Sequence, residues 1–289
     1  MSPGLIFLIT SVTCSVCVSI LLKVARTQGI DVRQAITTNY AVALLACWLL
    51  LKPDLSALSA PTTPWITLVL LGVLLPSVFL AMANAVRDAG IVRSDAAQRL
   101  ALFIPLIAAF VLFGETMTTR KMTAIGLGLL ALFFLLKRSG AHPEQHDRAA
   151  KRGAWLWPAT VWIGYGVIDV LFKQVARTGT AFASSLFAAF ALAGVLALMY
   201  LIATRTVWRV RNLLTGVLLG ALNFTNIYAY VRAHQSLPND PALVFSAMNI
   251  GVISLGTLAG VAFFRERLSP LNVLGLAFAL AAVALMTPW

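Results

Sequence analysis

The chain has 289 residues, of which 60% are hydrophobic and 11% charged, and its mean hydropathy is +0.89. Soluble domains carry about 25% charged residues, so this composition argues against a soluble domain and for a membrane protein. Its 22 basic and 10 acidic residues give a net charge of +12, but the basic residues are scattered between apolar stretches. That distribution fits cationic loops on one membrane face and argues against a nucleic-acid interface.

A membrane span needs about 20 apolar residues. Accepting shorter runs in a crowded bundle, ten spans are expected. The first is Leu5–Val24, whose Ser11, Ser15, Ser19 and Lys23 recur every four residues and so share one helical face. Its start has neither a basic lead segment nor a small-residue cleavage site, so it reads as a span rather than a signal peptide. Ala35–Leu51 and Trp65–Val86 follow; the latter contains Pro76 and, near its end, Asn84. Ala96–Phe113 begins SDAAQ, where Asp95 and Gln98 form a capping box, with Arg99 beside them and Pro105 in the middle. The fifth span is Met122–Leu136.

Next comes the one linker, KRSGAHPEQHDRAAKRG. Its His142 and His146 have metal-ligand spacing, but a solvated tether is the better reading. The second half then supplies Trp155–Ala176, Ala181–Ala203, Leu213–Val231, Ala242–Phe264 and Leu271–Met286. Cys14 and Cys17 form a CxxC within the first span, without a second pair or a nearby histidine, and read as packing residues; no metal or cofactor is expected.

The two halves resemble each other. Lys23-Val-Ala-Arg-Thr in the first matches Lys173-Gln-Val-Ala-Arg-Thr in the second, with one insertion. FGE ending at Glu115 matches FRE ending at Glu266, each followed by a polar turn and a Gly-rich span. Asp240, just before Pro241, matches Asp95 as an N-cap. Five spans per copy is an odd number, so the second copy must be inverted in the membrane. The expected architecture is an all-α membrane protein of ten transmembrane helices: a first five-helix repeat over 1–138, a charged linker over 139–152, and an inverted second repeat over 153–289. Inverted repeats belong to alternating-access transporters, with substrate bound near midplane.

With these features the chain resembles the EamA-like branch of the drug/metabolite transporter superfamily. QRLALFIPLIAAFVLFGE with Pro105, the matching FFRERLSPLNVLGLAFAL, the basic interruption after the first span and the Asn39-Tyr40 pair carry the likeness. The resemblance implies a secondary transporter whose cavity is built mainly from helices one, three, four, six, eight and nine. It implies substrates among amino acids, nucleotide sugars, other metabolites and drugs. Four-span multidrug relatives use a glutamate in helix one; here that helix has serines and Lys23, so proton-coupled export of cationic drugs is disfavoured.

The candidate site residues follow from burial of polarity in hydrocarbon. Tyr165, Asp169 and Lys173 share a face of the sixth span. A charge there costs about 2.5–3.5 kcal/mol even on insertion scales, so it should face protein or water. Lys23 and Lys173 have two readings, cavity residue or snorkelling to the headgroups. Asp169 is too short to snorkel and is either a cavity residue, the one candidate for ion coupling, or a structural partner of Lys173 or of another polar neighbour. Arg99, beside the candidate Gln98, has two readings: it holds a carboxylate or phosphate in bidentate fashion, or it lies at the headgroup level. Ser15, Ser19, Asn84, Asn223 and Asn226 complete the substrate-binding candidates, with Tyr228 a further hydrogen-bonding group. Glu115 and Glu266 read as interfacial anchors. Pro76, Pro105, Gly220 and Gly256 are the hinge candidates, the glycines within the GxxxG pairs Gly216–Gly220 and Gly256–Gly260.

The expected function is a multi-pass inner-membrane transporter, not an enzyme, that exports a small polar anionic or zwitterionic metabolite by alternating access. An ion-coupled uptake permease of the same fold, and a non-transporting sensor or scaffold, are the alternatives. Its partners are the substrate and the bilayer, as a monomer or homodimer. Fourteen basic residues lie in loops after odd-numbered spans and five after even-numbered ones. By the positive-inside rule the linker is cytoplasmic and both termini are outside, whereas relatives of this kind are often described with cytoplasmic termini.

Overall fold

The computed structural model describes residues 3–61, 63–89, 94, 97–98, 100–136, 155–178, 181–264 and 270–286. The linker with His142 and His146, and Asp95, Arg99 and Glu266, lie outside the described residues. The described chain is helical: α1 Pro3–Thr27, α2 Val32–Ala46, α3 Trp65–Ala89, α4 Phe103–Val111, α5 Thr119–Leu136, α6 Leu156–Ala176, α7 Phe182–Ala203, α8 Val210–Ser236, α9 Pro241–Phe264 and α10 Pro270–Met286. A π-helical turn, Cys47–Leu51, continues α2, and a 3₁₀ turn covers Leu55–Ser59. Among the described residues, six helical stretches are long and apolar enough to cross a membrane: Pro3–Leu22, Val32–Leu51, Trp65–Met82, Phe182–Ala203, Val210–Ser236 and Pro241–Ala262.

Two of the expected spans change shape. The fourth is interrupted by a turn at Ala101–Leu102, three residues before Pro105. Proline has no amide to bond the carbonyl of Ala101, which accepts from Ile104 instead, over one residue fewer (3.1 Å). The eighth extends to Ser236, five residues past the expected end at Val231, and takes Arg232 and His234 into the helix. Pro238 then disfavours helix at the residue before it.

The chain folds into two compact units, one of 1–80 and 167–236, the other of 81–166 and 237–289. In the first, α8 packs along α1 and α2, and α2 also packs on α7. Gly216 and Gly220 explain the closeness of α8 to α2. A Cβ at Gly220 would lie 2.6 Å from Val42 Cβ and 2.9 Å from the Asn39 carbonyl, and one at Gly216 would lie 2.8 Å from the Ala35 carbonyl. With no hydrophobic drive between helices in lipid, such small-residue seams let backbones approach. Gly220 is therefore a packing residue; Gly256 has open space around it. In the second unit α5 packs on α10 and α9 lies against both, around a core of Ala131, Ile250, Ala279 and Ala282. The broken fourth helix is braced there by α6: Trp162 Nε1 donates to the Leu100 carbonyl (3.0 Å). Gly166 lies so close that a Cβ would sit 3.0 Å from the Ala101 carbonyl. Irregular backbone inside a packed helical unit needs such partners.

Candidate functional site

In the first unit, α8 presents Asn223, Asn226, Tyr230 and His234, spaced three, four and four residues apart, as one polar stripe. Each of the first three meets a different helix. Asn223 Nδ2 donates to Asn39 Oδ1 on α2 (3.0 Å). Asn226 Oδ1 accepts from Ser11 Oγ on α1 (2.7 Å). Tyr230 donates its hydroxyl proton to Asp169 Oδ1 on α6 (3.2 Å). His234 packs edge-on against the Tyr230 ring at 4.8 Å and lies within electrostatic reach of Lys173. Lys173 is 2% exposed and His234 1%. Asp169, Lys173, Tyr230 and His234 thus form one cluster of ionisable side chains, closed on one side by the Phe172 ring against Tyr230.

Lys173 does not snorkel: its side chain ends inside the unit. The reason is positional. Helix α6 stops at Ala176, and Gln235 Nε2 caps the Ala176 carbonyl (3.4 Å), so α8 covers the last turn of α6. Asp169, four residues earlier, meets Tyr230, a partner on another helix. Two residues from Tyr230 along α8, Arg232 lies over the rings of Phe7 (5.5 Å) and Phe182 (6.0 Å) and donates to Gln235 Oε1 (3.1 Å). Phe224 stacks on Tyr228 alongside. Tyr230, His234 and Arg232 are absent from the sequence candidates. The three-four-four spacing on α8 was a usable signal for the first two, but the apolar run ends at Val231, ahead of His234.

The remaining candidates fall elsewhere. Ser19 is exposed and donates to the Ser15 carbonyl on its own helix (3.1 Å), whereas Ser11 of the same stripe reaches α8. The α1 backbone carries Lys23 at its last turns. Tyr165, in the second unit, packs with Met82 and Trp157 on a cluster of Ala81, Ala85, Ala97 and Val161. Gln98 and Asn84 are half-buried in that unit. Pro76 lies within α3.

Glu115 is not an exposed interfacial anchor. Its side chain is fully buried; Oε1 pairs with Lys121 Nζ at 2.8 Å, and Oε2 accepts from the Ala242 N–H at 2.7 Å. The same ammonium reaches Asp240 Oδ1 at 2.9 Å. The cap of α9 is therefore supplied by Glu115, 127 residues away, where the sequence pointed to Asp240. Gly114 makes this possible: at φ +69 it lets the Glu115 N–H reach the Ala109 carbonyl (3.0 Å) and turns the side chain inward. Burial lowers the pKa of Lys121, but its hydrogen bonds to Glu115 and Asp240 outweigh that and raise it. Among the described residues no three His, Cys, Asp or Glu side chains gather as a metal site.

The chain is 47% identical over 281 residues to an uncharacterized protein of Haemophilus influenzae, covering 96% of this chain and 95% of that one. A protein of known crystal structure shares the fold, with a TM-score of 0.73, 17% identity, and coverage of 98% of this chain and 96% of that one. Residues 2–137 match the model of the EamA-like transporter family. The chain is a membrane protein of many apolar helices, and its first half, residues 2–137, is that of an EamA-like transporter.

Proposed function

We propose that the protein is a secondary transporter of the inner membrane that moves a small anionic or zwitterionic metabolite by alternating access, in the direction of export. The observation that carries this reading is the burial of Lys173 beside Asp169, Tyr230 and His234 in a chain of membrane-spanning helices. An ammonium enclosed in such a chain is costly and is expected only where it meets ligand, ion or partner. Lys173 supplies a cation for a carboxylate or phosphate. Asp169, with its orientation set by Tyr230, supplies a counter-charge for an amine or a carrier for a coupling proton. The ten helices in this reading are ten spans, in two inverted repeats whose movement opens the site to either side.

Reconstitution into proteoliposomes with labelled metabolite pools tests the reading. Asp169→Asn and Lys173→Ala should each reduce transport at least tenfold, with insertion and unfolding temperature checked separately. Normal flux through both variants sinks it. A pH gradient still driving transport in Asp169→Asn vesicles removes the coupling role and leaves the substrate role open to the first measurement.

A further inference from the structure

Away from this cluster, the loops after α1 and α7 enclose a cavity of about 340 Å³ within the first unit. Asp31, Arg33 and Gln34 line one side and Arg205, Arg209 and Asn212 the other, three guanidinium groups against one carboxylate. Arg33 is committed to Asp31, with its Nε on Oδ1 (3.0 Å) and Nη2 on Oδ2 (2.9 Å). Burial raises the Asp31 pKa, but the Arg33 hydrogen bonds more than offset this and lower it, so the carboxylate stays ionised at neutral pH. Among the described residues, no carboxylate pairs with Arg205 or Arg209. The local charge not matched within the wall is therefore theirs.

The wall is fixed by two buried amides. Gln34 donates through Nε2 to the Val207 carbonyl (2.8 Å) and accepts the Arg209 N–H at Oε1 (3.1 Å). Asn212 Oδ1 accepts the Asp31 N–H (3.4 Å). Arg205 adopts φ +47, a left-handed backbone that non-glycine residues rarely enter, in a turn closed by the Thr206 N–H on the Leu201 carbonyl (3.2 Å).

Beside this cationic wall the surface is apolar. Val207 is 76% exposed, Val210 72% and Leu214 64%, with Trp208 between them at 48%. Val210 and Leu214 are one turn apart at the start of a membrane-spanning helix. Their exposure is to acyl chains, and a tryptophan at that end marks headgroup depth. A cavity with two arginines not engaged by carboxylates, opening next to a chain-facing apolar stripe, has the chemistry of a phosphodiester joined to a lipid tail. We infer that this cavity binds the phosphate of an anionic membrane lipid, with Arg205 and Arg209 on its oxygens and the Val210–Leu214 face along a chain. A soluble phosphate would make no use of that face.

The test is retention of phosphatidylglycerol against phosphatidylcholine by the purified full chain, read by native mass spectrometry, with inorganic phosphate as competitor. Phosphatidylglycerol should be preferred. The preference should weaken about thirtyfold in R205A/R209A, from roughly fivefold per arginine, and recover for the most part in R205K/R209K. Both arginines are exposed, and an unchanged unfolding temperature checks that the alanine variant is folded. Equal retention of the two lipids overturns the inference, as does a folded alanine variant that binds like the parent. Displacement of phosphatidylglycerol by millimolar inorganic phosphate, with no preference between lipids, assigns the cavity to a soluble anion and overturns it too.

Discussion

Replacing Glu115 by alanine removes two interactions at once, and the structure lets their sizes be separated. The first is the charge-assisted hydrogen bond from Ala242 N–H at 2.7 Å, at a fully buried side chain. Losing it leaves an amide at the start of α9 without its acceptor, at a cost of about 1.5–3 kcal/mol. The second is the ion pair with Lys121, whose side chain is 18% exposed and keeps Asp240 at 2.9 Å. That loss is partly compensated and is worth about 1 kcal/mol. The sum, about 2.5–4 kcal/mol, overlaps the low end for breaking a buried pair. It corresponds to an unfolding temperature lower by roughly 10 °C at about 2–4 °C per kcal/mol.

Glu115→Gln keeps a carbonyl oxygen for Ala242 and should lose only about a third of this. Thermal unfolding of the detergent-purified protein measures both. Equal losses in the two variants would refute the capping role, and a change under 2 °C in the alanine variant would refute the burial argument altogether. The pH dependence has a definite sign. The folded pKa of Lys121 is raised above the ordinary 10.5, so its contribution is fully present below that value. It is lost as pH rises through the higher folded value. The Glu115→Ala deficit should therefore be constant at neutral pH and shrink only under strongly alkaline conditions.

The two GxxxG motifs should behave oppositely: Gly220→Ala, driven against the Asn39 carbonyl, should lower stability by about 2 kcal/mol, while Gly256→Ala, with open space around it, should be neutral or raise it by up to about 1 kcal/mol. Unfolding temperatures of the pair decide this, and equal effects would contradict the seam. Trp162→Phe keeps the ring but loses the donor to Leu100, and should cost about 1 kcal/mol by the same assay. A reporter active only in the cytoplasm, fused after Trp289, should stay silent, since the charge asymmetry of the loops places that end outside; a bright signal reverses the orientation.

Helix identity was legible because it depends on local composition: a stretch of apolar residues in lipid must satisfy its backbone internally, whatever surrounds it. Lys173 and Asp169 were legible for the same reason, since a charge within such a run is conspicuous on one line of text. The likeness to EamA-like transporters was carried by motifs, among them the runs holding FGE, FRE and Pro105. What composition could not decide was which polar groups would meet. Tyr230 lies just inside the end of the apolar run on α8 and His234 beyond it; only the contact of α8 with the last turns of α6 buries them with Asp169 and Lys173. Glu115 had the sequence of a surface anchor, with lysine and arginine nearby. It became the cap of a helix 127 residues away because the turn at Gly114 points it inward. Gly220 looked like a hinge and is a seam, a distinction set by the α2 backbone 2.9 Å from where its Cβ would be. A sequence records which side chains carry charge or lack bulk; the partner each one meets is a property of tertiary contact, because desolvation and close approach exist only once two helices share a boundary.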